Sequence, residues 1–195
     1  MSSVKLDTKS RIFEATWKLM EDHHGQGVRM SDIAKAAGIS RQALYLHFDD
    51  RSNLLIATTQ YMDEKSGIEE QLQPSRDAPD GKTRLREYIK VMGNHFPNIQ
   101  GVARALLAIK DTDEAARAAW DERMGAIREG CEAAITMLEA EGNLVKGLSR
   151  KVATDLLWVL LSFQNWDQLT NHCDWSSEEY ISHIQKQAER SFVAR

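Results

Sequence analysis

The chain has 195 residues, 42% of them hydrophobic and 28% charged, with 3 prolines, 2 cysteines and a net charge of −4. That length can bury one large or two small cores, and the mild acidity excludes the strongly basic balance of a nucleoid protein. No apolar run reaches the roughly 18 residues of a membrane span and no charged-then-apolar leader opens the sequence, so a soluble, cytoplasmic protein with no membrane partner is expected.

Residues 1–9 are polar, and Lys5, Lys9 and Arg11 can lie either along a DNA backbone or in solvent. Ile12, Phe13, Ala15, Leu19 and Met20 recur at helical spacing and predict a helix from about Thr8 to His24, broken by Gly25-Gln26-Gly27. His23 and His24 are adjacent, and adjacent helical side chains point about 100° apart, so they do not chelate one metal. The next stretch, Val28 to Leu55, reads VRMSDIAKAAGISRQALYLHFDDRSNLL. A short helix carrying Ile33, Ala34 and Ala37 ends at Gly38, a residue suited to a left-handed cap. Ile39 follows as an apolar plug, and Ser40 is an N-cap for a second short helix through Arg41, Gln42, Ala43, Leu44 and Tyr45. Small Ala34 lets the two helices approach, and Leu44 fills the angle between them. This is helix-turn-helix spacing, in which the second helix enters a DNA major groove. Arg41, Gln42, Tyr45 and His47 face away from the inferred core. Arg41 can pair with guanine, Gln42 with adenine, and the Ala43 methyl can meet a thymine methyl.

These residues resemble the signature of the tetracycline-repressor (TetR) family of transcriptional regulators. The matching elements are Ile33-Ala34, Ala37-Gly38-Ile39-Ser40, Leu44-Tyr45-Leu46-His47-Phe48, Arg51 and Leu54-Leu55. The resemblance implies an all-α chain, with a three-helix DNA-binding domain over residues 1–52 and a helical effector-binding and dimerisation domain over 53–195. It implies a sequence-specific repressor that acts as a homodimer on palindromic double-stranded DNA and is released by a small apolar or aromatic effector. The alternatives are an activator or global regulator of the same fold, or a helical protein or enzyme with a vestigial head. No catalytic residue, metal or cofactor is expected. By resemblance Tyr45 and His47 contact the backbone or a base edge. Arg51, at the first turn of the next helix, meets a phosphate, although Asp49 and Asp50, which cap that turn, oppose one. The family places a Thr or Ser hydroxyl at the start of the second helix. Here Arg29-Met30 stand there, so either Ser31 caps a shifted helix or Arg29 reaches the phosphate by charge. Residues 1–56 hold 8 Lys/Arg against 7 Asp/Glu and residues 57–195 hold 17 against 22, so DNA binding rests on placed contacts more than on bulk charge.

The fourth helix continues through Leu54, Leu55, Thr58 and Met62, and in the family it transmits the ligand signal to the head. Residues 73–81 read as a loop by their turn chemistry. Leu85, Ile89, Met92 and Phe96 form one stripe, and Pro97 is expected to start a separate helix carrying Val102, Leu106 and Ile109. Thr112 is the expected cap of a longer helix through Trp120, Met124, Ile127, Cys131, Ala134 and Leu138, ended by Gly142. Such stripes are plain core or the wall of a ligand cavity, and Met92, Phe96, Trp120, Met124 and Trp158 are the candidate effector contacts. One helix is expected from Ser149 to about Cys173. Its segment Leu156–Phe163 is apolar all round and calls for burial on two sides. The last helix offers Ile181, Ile184, Ala188 and Phe192 at matching spacing. In the family the last two helices form a four-helix bundle with their two-fold mates, which assigns Leu157, Leu161, Ile181, Ile184, Ala188 and Phe192 to dimerisation. Cys131 and Cys173 are expected to be reduced, and His172-Cys173-Asp174 is too contiguous to hold one ion.

Overall fold

A computed structural model describes residues 7–23 and 28–194 and is all-α. The described helices are α1 (Thr8–Asp22), α2 (Met30–Ala36), α3 (Arg41–Tyr45), α4 (Arg51–Ser66), α5 (Ile68–Arg76), α6 (Gly81–Ile109), α7 (Glu114–Ala140), α8 (Arg150–Leu160), α9 (Phe163–Asn171) and α10 (Ser177–Phe192). Lys5, His24 and the Gly25-Gln26-Gly27 break lie outside the described residues. None of the described helices is long and apolar enough to cross a membrane.

Most helix starts are set by a short polar side chain that satisfies an otherwise orphaned amide. Asp7 accepts from the Ser10 N–H at 2.9 Å, Asp50 from Asn53 at 2.8 Å, and Asp80 from Thr83 at 2.7 Å. Ser149, expected only as the start of a helix, caps α8, its hydroxyl accepting from the Val152 N–H at 3.3 Å. Ser176 and Glu179 form a reciprocal capping box at α10.

Four boundaries depart from the sequence reading. Residues 73–76 are the end of α5 and not part of a loop, and Pro74 lies inside that helix. Pro74 cannot supply the N–H that the Glu70 carbonyl would accept, but both residues are exposed, so water can replace it. The chain breaks instead at Gly67, whose φ of 67° is a left-handed conformation that favours glycine. Pro97 does not start a helix either; it lies within the 29-residue α6. An interior proline costs about 3 kcal/mol. Phe96 before it and Val102 and Leu106 after it are buried, each contributing about 1.5–3 kcal/mol, which outweighs one lost bond. Asp113, and not Thr112, caps α7, accepting from the Ala116 N–H at 3.0 Å. The Thr112 hydroxyl turns back to donate to the Ile109 carbonyl at 3.2 Å. Finally, the expected helix over 149–173 is two, because Ser162 takes an extended conformation and accepts from the Asn165 N–H at 3.3 Å.

The chain forms two compact units, one of Met1–Lys65 with Ile99–Arg123 and one of Ser66–Asn98 with Met124–Arg195. In the first, Ile12, Ile33, Leu44, Leu54 and Leu55 are wholly buried, and Phe13, Met20 and Phe48 nearly so. Its edges are tied by ions: Glu14 accepts from the Tyr61 hydroxyl at 2.9 Å and pairs with Lys65, while Arg123 pairs with Asp63 and Glu122. In the second, Leu85, Ile89, Phe96, Cys131, Leu157, Phe163 and Tyr180 are wholly buried. The rings of Phe96, Phe163 and Trp166 lie 5.6–6.0 Å apart by centroid, within the range of favourable aromatic pairs. Its C-terminal end is closed by an antiparallel bridge between Leu144 and Val193, with the Val145 N–H donating to the Phe192 carbonyl at 3.0 Å.

Candidate nucleic-acid interface

The reading head is built on the turn between α2 and α3. Met30, Ile33 and Ala34 of α2 are buried. The Asp32 carboxylate accepts from the Arg29 N–H at 3.3 Å at the start of that helix. Ser31 does not cap it; it stands exposed within the first turn, beside exposed Arg29. Gly38 follows with φ of 68°, and the Gly38 and Ile39 amides donate back to the Lys35 and Ala34 carbonyls at 3.1 and 3.0 Å. The Ser40 hydroxyl then accepts from the Ala43 N–H at 3.0 Å and starts α3.

Of the five residues of α3, Leu44 alone is buried. Arg41, Gln42 and Tyr45 are exposed, Ala43 is half-buried, and His47 is exposed just beyond. The Arg41 guanidinium lies over the Tyr45 ring, 5.6 Å from its centroid. The platform beneath is aromatic: Phe48 packs on Phe13 at 5.6 Å and Phe13 on Tyr61 at 4.9 Å. Leu46, which the sequence reading names only as part of the family match, is 84% exposed. Its signal lay in the pattern, since it falls between two outward-facing residues on a helix whose apolar side was already filled by Leu44.

Arg51 opens α4 as expected, but its side chain is only 22% exposed and is ion-paired with Asp113. Burial raises the Asp113 carboxyl, and hydrogen bonds from Arg51 and from the Ala116 amide more than reverse that, holding it below the ordinary carboxylate value.

The candidate effector contacts divide between the units. Trp120 belongs to the first, and Met92, Phe96, Met124 and Trp158 to the second. There Trp158 donates its indole N–H to the Met124 carbonyl at 3.1 Å, and Phe96 joins the Phe163–Trp166 cluster. The Trp166 Nε1 and the Tyr180 hydroxyl are buried with no hydrogen-bond partner among the described residues. Tyr180 went unnoticed in the sequence because its spacing with Ile184, Ala188 and Phe192 reads as plain core.

Most of the residues assigned to dimerisation are covered within their own chain. Leu157, Leu161, Ile184, Ala188 and Phe192 are buried within their own chain, and Ile181 is partly covered. On α8 the exposed large apolar residues are Val152, Leu156 and Val159, spaced four and three along one side and 45–58% exposed. The periodicity of the segment did not reveal which of its two sides the chain covers for itself. Among the described residues no group of three or more His, Cys, Asp or Glu could hold a metal ion.

Comparison with known proteins bears on the same residues. Residues 12–58 match the model of the bacterial regulatory proteins of the tetR family. An uncharacterized HTH-type transcriptional regulator of Mycobacterium tuberculosis is 25% identical over 166 residues, which is 83% of this chain and 82% of that protein. Among solved structures, the fatty acid degradation regulator FadR of Bacillus halodurans superposes with a TM-score of 0.71 at 15% identity, covering 94% of this chain and 95% of that one. NalD of Pseudomonas aeruginosa, the secondary repressor of the MexAB-OprM multidrug efflux pump, superposes with a TM-score of 0.68 at 21% identity, covering 95% and 96%.

Proposed function

We propose that this chain, a helix-turn-helix transcriptional regulator of the TetR family, is a homodimeric repressor released from a palindromic operator by a small apolar or aromatic effector. The observation that carries the reading is α3: Arg41, Gln42 and Tyr45 project from a helix fixed by one buried leucine and one serine cap. Arg41 reads guanine, Gln42 reads adenine, and Ala43 meets a thymine methyl. Ser40, Tyr45 and His47 complete the contact, and Arg29 and Ser31 reach flanking phosphates.

One α3 reads only a half-site, so the palindrome calls for two heads about one DNA turn apart. The exposed strip Val152, Leu156 and Val159 supports a two-fold contact through α8, with α10 beside it. The aromatic cluster of Phe96, Phe163 and Trp166, in the same unit as the unpartnered Trp166 Nε1 and Tyr180 hydroxyl, supports an effector that is apolar but carries a hydrogen-bonding group. Regulators of multidrug efflux and of fatty acid degradation among the structural neighbours fit such an effector. Effector and DNA are coupled only insofar as the effector binds the released state more tightly.

Selection of bound fragments from the source genome tests the reading, with Arg41→Ala/Tyr45→Ala as control. A recovered palindrome that the variant loses supports it. Equal recovery by a folded variant refutes the assigned contacts.

A further inference from the structure

We propose that Asp113 is a positioning residue that withholds Arg51 from DNA, so that a phosphate and the start of α7 compete for one guanidinium. The inference rests on the proposed DNA-binding function. Three observations carry it. Arg51 is the first residue of α4, beside the helix-terminal amides that a phosphate approaches, yet its side chain is only 22% exposed and its Nη1 donates to Asp113 Oδ2. Its Nε is buried with no hydrogen-bond partner among the described residues, so the guanidinium is not saturated by the pair. Asp113, for its part, is not a mobile surface carboxylate. Its Oδ1 accepts from the Ala116 N–H at 3.0 Å and its backbone carbonyl from the Arg117 N–H at 3.0 Å, which fixes it as the cap of α7.

A phosphate arriving at α4 therefore meets exposed Asp49 and Asp50, and finds the nearby cation already neutralised 62 residues away in the sequence. To form its contact it must take Arg51 from a carboxylate that helix capping holds in place. Neutralising Asp113 removes a competing anion and frees a cation, and both changes favour DNA. The clasp thus sets affinity below what the head alone would reach. Whatever displaces the start of α7 from α4 tightens DNA binding through Arg51.

Asp113→Asn tests this, because an amide keeps the capping acceptor while losing the charge; Asp113→Ser keeps the cap by a different group. Binding of a labelled random-sequence DNA duplex is followed across a salt series, since non-specific affinity reports phosphate contacts directly. The expected result is a several-fold tighter Kd for both variants. The slope of log K against log salt should steepen by about 0.9 per head, the value of one added phosphate contact. In an Arg51→Ala background the gain should shrink to a small residue. Unchanged or weaker binding by folded Asp113→Asn and Asp113→Ser, or an equal gain without Arg51, overturns the proposal while wild-type binding stands. If neither wild type nor the variants bind the duplex at low salt, it is the DNA-binding reading itself that fails.

Discussion

Two glycines five residues apart in α7 should respond in opposite ways to the same substitution. The Tyr88 hydroxyl donates to the Ile127 carbonyl at 2.8 Å, and its ring crosses Gly130. A Cβ at position 130 would fall 2.3 Å from both Cζ and the hydroxyl oxygen of Tyr88, and that ring is 5% exposed among packed neighbours. Replacing a helical glycine by alanine gains about 1 kcal/mol in propensity. Against it stand about 1–3 kcal/mol for overpacking a close-fitted core. A further ~1–3 kcal/mol is lost if the hydroxyl is driven from its carbonyl. The clash wins, and Gly130→Ala should destabilise by about 2 kcal/mol. At Gly125 no described atom beyond its chain neighbours and its own helical backbone lies within 4 Å of the added Cβ, so Gly125→Ala should stabilise by up to about 1 kcal/mol. In a Tyr88→Ala background the obstacle is gone, and Gly130→Ala should turn from harmful to neutral or better, a coupling of about 2 kcal/mol. Denaturant unfolding at one protein concentration, with m-values compared, gives all four numbers. A Gly130→Ala protein as stable as wild type, or additive with Tyr88→Ala, would refute the reasoning.

Ser40→Ala removes the acceptor for the Ala43 amide and should cost about 1 kcal/mol, and an unchanged unfolding midpoint would mean that the cap contributes nothing. In Glu14 and Glu122 burial raises the carboxyl pKa, and hydrogen bonds from Lys65 and Tyr61, and from Arg123 and Gln60, outweigh it and hold both below the ordinary 4.5. A lowered folded-state value gives stabilisation that is complete above the ordinary value and lost as pH falls through the lowered one. Unfolding free energy should therefore decline below pH 4.5, less steeply in Glu14→Gln, and equal slopes in the two proteins would count against the Glu14 cluster. Burial pushes the Cys131 thiol far above its ordinary value while Cys173 is exposed, so a thiol reagent should modify one cysteine in the native protein and both in denaturant. Leu156→Asp places a charge in the exposed strip of α8 and should give a folded monomer by light scattering, whereas a dimer of wild-type mass would move the two-fold contact elsewhere.

What the sequence disclosed was what local chemistry decides. Ser40 and Gly38 each have one structural task set by neighbours within four residues and perform it, and Leu44, between the two helices of the turn, is buried. Pro97 defeats the sequence reading because a proline's cost is local while its compensation is not. Nothing near Pro97 in the chain announces that Phe96 and Leu106 are both driven into cores. The same limit hid the split at Ser162, where an apolar run reads as one helix until the serine hydroxyl is seen to cap the second. Arg51 carries the sharpest version of the lesson. Its position at the start of α4 was legible, whereas its partner Asp113 lies 62 residues away and was not. The apolar surplus around Leu156–Phe163 was legible too. Which side of it remained uncovered required Leu157 and Leu161 to be seen buried within the chain.

The brevity of α3 bears on how this protein can be re-targeted. Five residues are too few to hold a helix in water unaided, so α3 exists because Leu44 is anchored and the turn before it is fixed. The positions proposed to meet the groove are therefore not the positions that hold the helix. Arg41, Gln42 and Tyr45 can be exchanged for other side chains with little effect on the fold, and a library confined to those three codons should retain folded members in bulk while altering which DNA they retain. The converse also follows. A lesion deep in the head, far from any nucleotide, can silence reading entirely by letting α3 melt, and would look in a genetic screen like a lost contact.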